Sequence, residues 1–146
     1  MDKLLDAMKK VLADSYAFYI KAHYYHWNVE GPDFYEFHSL FEQIYSEVYG
    51  SVDTIAEHIR ALKGYAPGSF GRFSELTSIE DDNTLPIGME MANRLLADTQ
   101  KLILTLTLAY HSAEAVGEIG VSNFLQDRVV ALQKHAWMLR ATTARK

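Results

Sequence analysis

Apolar residues return at every third or fourth position from near the start of the chain. Leu4, Met8, Val11, Phe18 and Ala22 share one stripe with Ser15, and the next step on that stripe is His26. This period predicts a helix with one buried face, ended by Gly31-Pro32, because proline fixes its backbone and lacks an amide proton. Asp33, followed three residues later by Glu36, has the form of an N-cap with a supporting acid. A second helix is expected from about Phe34 to Leu62, with Gly64 as its stop. Its inward stripe is Phe37, Phe41, Ile44, Val48, Ile55, Ile59 and Leu62.

Residues 64–84, GYAPGSFGRFSELTSIEDDNT, read as a connection with one short helical turn near Phe73 to Leu76. So long a link fits a crossover between distant helix ends better than a turn between antiparallel neighbours. A third long helix follows Pro86 and passes through Met89, Leu95, Leu102 and Leu106 to about Val116, where GEIG breaks it. The fourth runs from about Asn123 to Thr143, with Ser122 as its cap and Leu125, Val129, Leu132, Ala136 and Leu139 facing inward. Strand-like alternation is absent, and so is any repeat. The expectation is an all-α chain with one domain over residues 1–146. Its architecture is a ferritin-like four-helix bundle whose long crossover, between helices two and three, carries a short helix.

Composition narrows the chemistry. Of 146 residues, 49% are apolar and 23% charged, which excludes a disordered chain and supplies a core. Cysteine is absent, so disulfides, thiolate metal sites and cysteine nucleophiles are excluded together. A metal would have to be held by imidazole nitrogen and carboxylate oxygen, a set suited to iron, manganese or zinc. The apolar run from Leu102 to Tyr110 is interrupted by Thr105 and Thr107 and falls short of the roughly 18 residues of a membrane span. The N-terminal MDKLLDAMKK has no signal-peptide pattern, so a cytoplasmic location is expected. The formal charge of −5 weighs against binding a phosphate backbone as the main activity.

Candidate chemistry lies beside the core stripe of the second helix. His38, Glu42, Tyr49, Asp53 and Glu57 drift by only about 100° around the axis and so share one face. Two i, i+4 pairs result, His38 with Glu42 and Asp53 with Glu57. Taken singly, each residue has an ordinary explanation as a surface acid or a carbonyl-bonded histidine. The pairs cannot serve one ion within one helix, because residues 38 and 53 are about 22 Å apart along the axis and bonds from a metal to N or O are only about 2.0–2.2 Å. Antiparallel packing of this helix on a second copy, centred near Glu47 and Val48, would bring His38 and Glu42 of one chain opposite Asp53 and Glu57 of the other. A twofold axis would make two equivalent sites. His26 could fold back across the Gly-Pro turn to join His38.

The stretch HWNVEGPDFYEFHSLFEQIYSEVYGSVDTIAEHIRAL resembles the signature of the Dps family of mini-ferritins, named for DNA protection during starvation. The matching elements are His26-Trp27-Asn28, Gly31-Pro32, His38 twelve residues after His26, Glu42, Asp53 and Ala56-Glu57. The C-terminal LQKHAWMLRA is similar to the family's last helix. The resemblance implies a dimer-based hollow dodecamer with a ferroxidase centre at the dimer interface. It implies His26, His38 and Glu42 as metal ligands and catalytic residues from one subunit, with Asp53 and Glu57 from its partner. It further implies oxidation of Fe(II), preferentially by H2O2 rather than O2, and storage of Fe(III). Zinc is the expected competitor for such an N/O site.

Some positions leave alternatives open. His58 stands where the family often has arginine. His23 is either an extra ligand or a hydrogen-bonding neighbour, and Trp27 either intercepts oxidising equivalents near the site or is a plain core residue. Glu114, Glu118 and Asp127 are either pore residues or solvated surface acids. Ordinary ferritins use Glu-x-x-His pairs within one bundle, and this sequence contains none. The alternative function is DNA compaction with iron chemistry secondary. Against it, the nearest basic groups are Lys3, Lys9 and Lys10 on the first helix and Arg140, Arg145 and Lys146 at the other end, so DNA binding is expected to be weak.

Overall fold

The computed structural model describes residues 1–144, so Arg145 and Lys146 lie outside the described residues. Five helices follow one another: α1 (Asp2–Asn28), α2 (Phe34–Ala61), α3 (Phe70–Leu76), α4 (Gly88–Ala115) and α5 (Ile119–Thr143). The four long ones form the bundle, with α1 packed on α2 and α4, and α4 on α5. The short α3 lies within the crossover and packs on α1. No strand occurs among the described residues, and none of their helices is long and apolar enough to cross a membrane.

The inward stripes are where their period puts them. Leu4, Met8, Val11, Ser15, Phe18, Ala22 and His26 are all buried, as are Phe37, Phe41, Ile44, Val48, Ile55 and Ile59. Two expected core positions differ. Met89 is 38% exposed and the buried methionine of α4 is Met91. Val129 is only partly covered, because Arg128 beside it turns inward.

Helix ends depart from expectation in an instructive way. Asp33 stands at the N-cap of α2, but its side chain makes no capping bond. Ser122 is not a cap, since α5 starts at Ile119 and the Ser122 amide already donates to Glu118 O at 2.9 Å. The short helix starts earlier than expected, at Phe70, where the Ser69 hydroxyl accepts from the Arg72 amide at 3.2 Å. At the end of α2 the left-handed residue is Lys63 (φ 73°) rather than Gly64. The Gly64 amide donates to Ile59 O at 3.0 Å and the Lys63 amide to Arg60 O at 2.9 Å, a Schellman closure. Gly64 has a different role, for a Cβ there would lie 2.6 Å from Leu5 Cδ2.

Buried charges hold the crossover in place. Asp14, 1% exposed, sits on the inward face of α1. Its carboxylate accepts from Thr77 Oγ1 (2.6 Å), the Ser78 amide (2.7 Å), Ser78 Oγ (2.9 Å) and Thr105 Oγ1 (2.6 Å). One side chain therefore joins α1, the crossover and α4, and Thr105 interrupts its apolar run for this purpose. Lys21 Nζ lies 2.8 Å from Asp98 Oδ2 and donates to Glu80 O at 3.0 Å. Burial raises the Asp98 pKa, against the pull of the Lys21 ammonium.

Glu47 links α2 to α5. Arg128 donates to both its oxygens, at 2.5 and 3.1 Å, and His135 Nε2 donates at 2.8 Å. Burial pushes the Glu47 pKa upward, but the bonds from His135 and Arg128 outweigh it and bring the value down from 4.5 to about 2.

Two predictions follow from these groups. Replacing Asp14 by Ala removes four hydrogen bonds and leaves their partly buried donors without an acceptor, and should cost about 3 kcal/mol, measured by urea denaturation with helix content retained in water. For Glu47 the folded-state pKa is the lower one, so its contribution is complete above about pH 4.5 and is lost as pH falls toward about 2. The thermal midpoint of the wild type should fall more steeply across that window than that of Glu47→Gln; parallel curves would show that the network contributes nothing.

Candidate metal centre

The turn between α1 and α2 is built to bring two histidines together. Val29 leaves the helix in an extended conformation, and Gly31 takes φ 116°, a region that side chains resist. The chain reverses within five residues. His26, in the last turn of α1, then faces His38, in the second turn of α2, with ring centroids 3.8 Å apart and planes 15° from parallel.

Each imidazole bonds the backbone of the other helix. His26 Nδ1 donates to His38 O at 2.8 Å, and His38 Nδ1 donates to His26 O at 2.8 Å. A carbonyl only accepts, so both Nδ1 atoms carry the proton and the neutral rings keep a lone pair on Nε2. Phe34 stacks on the outer face of His38 at 4.8 Å, and Tyr45 meets His26 edge-on at 5.1 Å. The rings are thereby held in orientation.

Glu42, one turn beyond His38, brings Oε1 to 3.8 Å from His26 Nε2. One ligand atom from each of His26, His38 and Glu42 lies within 4.8 Å of the others, and among the described residues no other group of three such side chains does so. Two donors on one ion stand at most about 4.4 Å apart, so a small closure of the side chains is enough to grip a cation. The set of two neutral nitrogens and one exposed carboxylate fits a first-row divalent ion and leaves positions open for further ligands.

Asp53 and Glu57 are exposed on α2 and do not join this group within the chain. The sequence-derived residues thus divide into one assembled triad and one separate acidic pair. His23 lies outside the triad. Its Nδ1 shares a hydrogen bond with the Tyr19 hydroxyl at 3.2 Å, and its ring packs against Trp27 at 3.9 Å and Tyr45 at 4.0 Å. Burial, then the neighbouring His26, lowers its pKa. Trp27 is not a core residue, being 64% exposed. His58 packs on the Phe124 ring at 4.7 Å.

Sequence reasoning missed the polar cluster behind the site. Tyr25, fully buried, donates its hydroxyl to Asp82. Arg94 Nη1 donates to the same oxygen at 2.8 Å, and the other oxygen takes the Thr84 amide at 2.8 Å and Thr84 Oγ1 at 2.6 Å. Burial drives the Asp82 pKa upward, but the bonds from Thr84, Tyr25 and Arg94 hold it far below the usual carboxylate range. Burial and the bond to Asp82 raise the Tyr25 pKa. The only signal in the sequence was the acidic run EDDN, which does not reveal its partners.

Four long helices, a crossover with a short helix and an imidazole–carboxylate cluster define a ferritin-like protein, and the family model for the ferritin-like domain matches residues 5–145. A DNA protection during starvation protein from Brevibacillus brevis is 30% identical over 134 residues, covering 92% of this chain and 90% of the relative. The crystal structure of a Dps protein from Bacillus brevis superposes with a TM-score of 0.91 at 29% identity, over 95% of this chain and 93% of that one. A Dps protein from Vibrio cholerae O1, described as a member of a broad superfamily of ferritin-like diiron-carboxylate proteins, gives 0.92 at 28% identity, over 96% and 88%. The chain belongs to the Dps family of ferritin-like proteins.

Proposed function

We propose that the protein is a ferroxidase that takes up Fe(II), oxidises it with hydrogen peroxide and stores Fe(III) inside a hollow dodecamer, and so protects the cell from iron and peroxide together. The observation that carries this reading is the pair of reciprocal imidazole–carbonyl bonds, which leaves both Nε2 lone pairs beside Glu42. The Vibrio relative's description as a diiron-carboxylate protein supports iron as the substrate. The name of the Brevibacillus relative speaks of protecting DNA, an effect that removal of iron and peroxide achieves without contact with DNA.

Each centre combines His26, His38 and Glu42 with Asp53 and Glu57 of the partner subunit. The carboxylates neutralise the cation and, as hard ligands, favour the ferric state, whereas the neutral imidazoles add no charge and leave room for the oxidant. Two ferrous ions give one electron each to one peroxide, whose O–O bond breaks. With water, the products are ferric oxyhydroxide and four protons, which are released to solvent.

The site is tested by following Fe(II) oxidation by peroxide. His38→Ala and Asp53→Ala should each slow it by at least tenfold, and unchanged rates in both would sink the assignment. Heterodimers of these two variants carry both lesions in one site and none in the other, so they should recover about half the wild-type rate. Proven heterodimers without recovery would rule out shared sites.

Zinc supplies a separate check. An N/O site binds Zn(II) more tightly than Fe(II), so Zn(II) at equimolar concentration to sites should suppress the initial oxidation rate. His38→Ala should lose this zinc sensitivity along with the activity.

A further inference from the structure

His26 is held on one side by α2, through the two bonds with His38. The adjacent residue of the same turn is held from another direction. Tyr25 points about 100° away around the helix, and its hydroxyl bonds Asp82 at the end of the crossover. Arg94 of α4 grips the same carboxylate at 2.8 Å, and Tyr24 donates to Thr84 O at 2.5 Å. The last turn of α1 is therefore tied to three elements, α2, the crossover and α4. Tethers in two directions fix the rotation of a helix about its axis, which one tether leaves free. A binding constellation needs its donors within about 0.5 Å and 10–20°, so this rotation sets where His26 Nε2 points.

We propose that Tyr25, Asp82 and Arg94 form a positioning device for the candidate centre, locking the rotation of the last turn of α1 so that His26 presents Nε2 to a metal ion. This rests on the metal-site reading above. None of the three residues belongs to the metal-ligating group; they act through His26.

The fold supplies its own control. Asp14 pins residues 77 and 78, a few residues earlier in the crossover, to α1 and α4 by the same chemistry, a buried carboxylate taking several hydrogen bonds. It lies twelve residues before His26, about 18 Å along the helix. If positioning is the role of the Asp82 cluster, loss of that cluster affects the centre, whereas loss of the Asp14 cluster affects stability alone.

The test is titration of the assembled, metal-free protein with Co(II), followed by its visible d–d absorption, which reports affinity and coordination geometry. Asp82→Asn should weaken the His26-dependent Co(II) binding about tenfold, the low end for residues behind a ligand, and change the band shape. Tyr25→Phe keeps the ring in the core, removes only the hydroxyl, and should act in the same direction; it decides the matter if Asp82→Asn does not assemble. Thr105→Val and Ser78→Ala, at an equal loss of thermal stability, should bind Co(II) with wild-type affinity and bands. Wild-type behaviour in Asp82→Asn and Tyr25→Phe overturns the proposal, and so does equal weakening by the Asp14-cluster variants. A failure of the underlying reading is recognised separately, because His26→Ala would then bind Co(II) as the wild type does.

Discussion

Two hydrogen bonds between His26 and His38 organise this end of the bundle. The His26 carbonyl is among the last of α1 and has no helical amide to accept from. The His38 imidazole supplies the missing donor at 2.8 Å, and the His26 ring returns the contact to the backbone of α2. One exchange thus closes a helix end, fixes the α1–α2 turn and selects the tautomer of both rings. Structure and chemistry are not separable here. A ring that lost its carbonyl would lose its orientation, and Nε2 would no longer be the only free nitrogen.

The stiffness of α2 separates the triad from the second acidic pair. The helix carries the triad's His38 and Glu42 near its start and the exposed pair Asp53 and Glu57 beyond its middle. An α-helix does not fold back on itself, so the two halves stay about 22 Å apart. On the reading proposed here, that separation is what makes the centre depend on a second copy. On the same reading, an isolated subunit offers too few donors to hold ferric iron tightly, and oxidation is tied to the proposed assembly.

Periodicity made the bundle legible, because burial of a helical face leaves a direct trace in residue order. The same period put His38 and Glu42 on one face and His26 on the inward stripe of α1, while the resemblance to the Dps signature is what grouped them as ligands. Other features were hidden for physical reasons. Asp14, Asp98 and Arg128 occupy inward steps of their stripes and are visible as anomalies, but their partners Thr105, Lys21 and Glu47 are remote in sequence. Asp33 stands at the N-cap as expected, but its rotamer makes no capping bond, and Ser122 lies inside α5 because the helix starts three residues earlier, at Ile119. The bonds that set the imidazole tautomers go to backbone carbonyls, which every residue has, and so leave no trace in sequence.

The buried carboxylates also explain how so long a crossover keeps one path. Apolar contacts are tolerant of sliding, and a link between helix ends could settle in several registers with similar burial. A desolvated carboxylate is not tolerant, since losing its donors costs several kcal/mol. Asp14 fixes residues 77 and 78, and Asp82 fixes residues 82 to 84, each against α1 and α4 together. A slip by one residue would empty both pins at once. Well-packed apolar residues in their place could match the stability but would not distinguish these registers, and the last turn of α1, with His26 on it, would follow whichever path the crossover took.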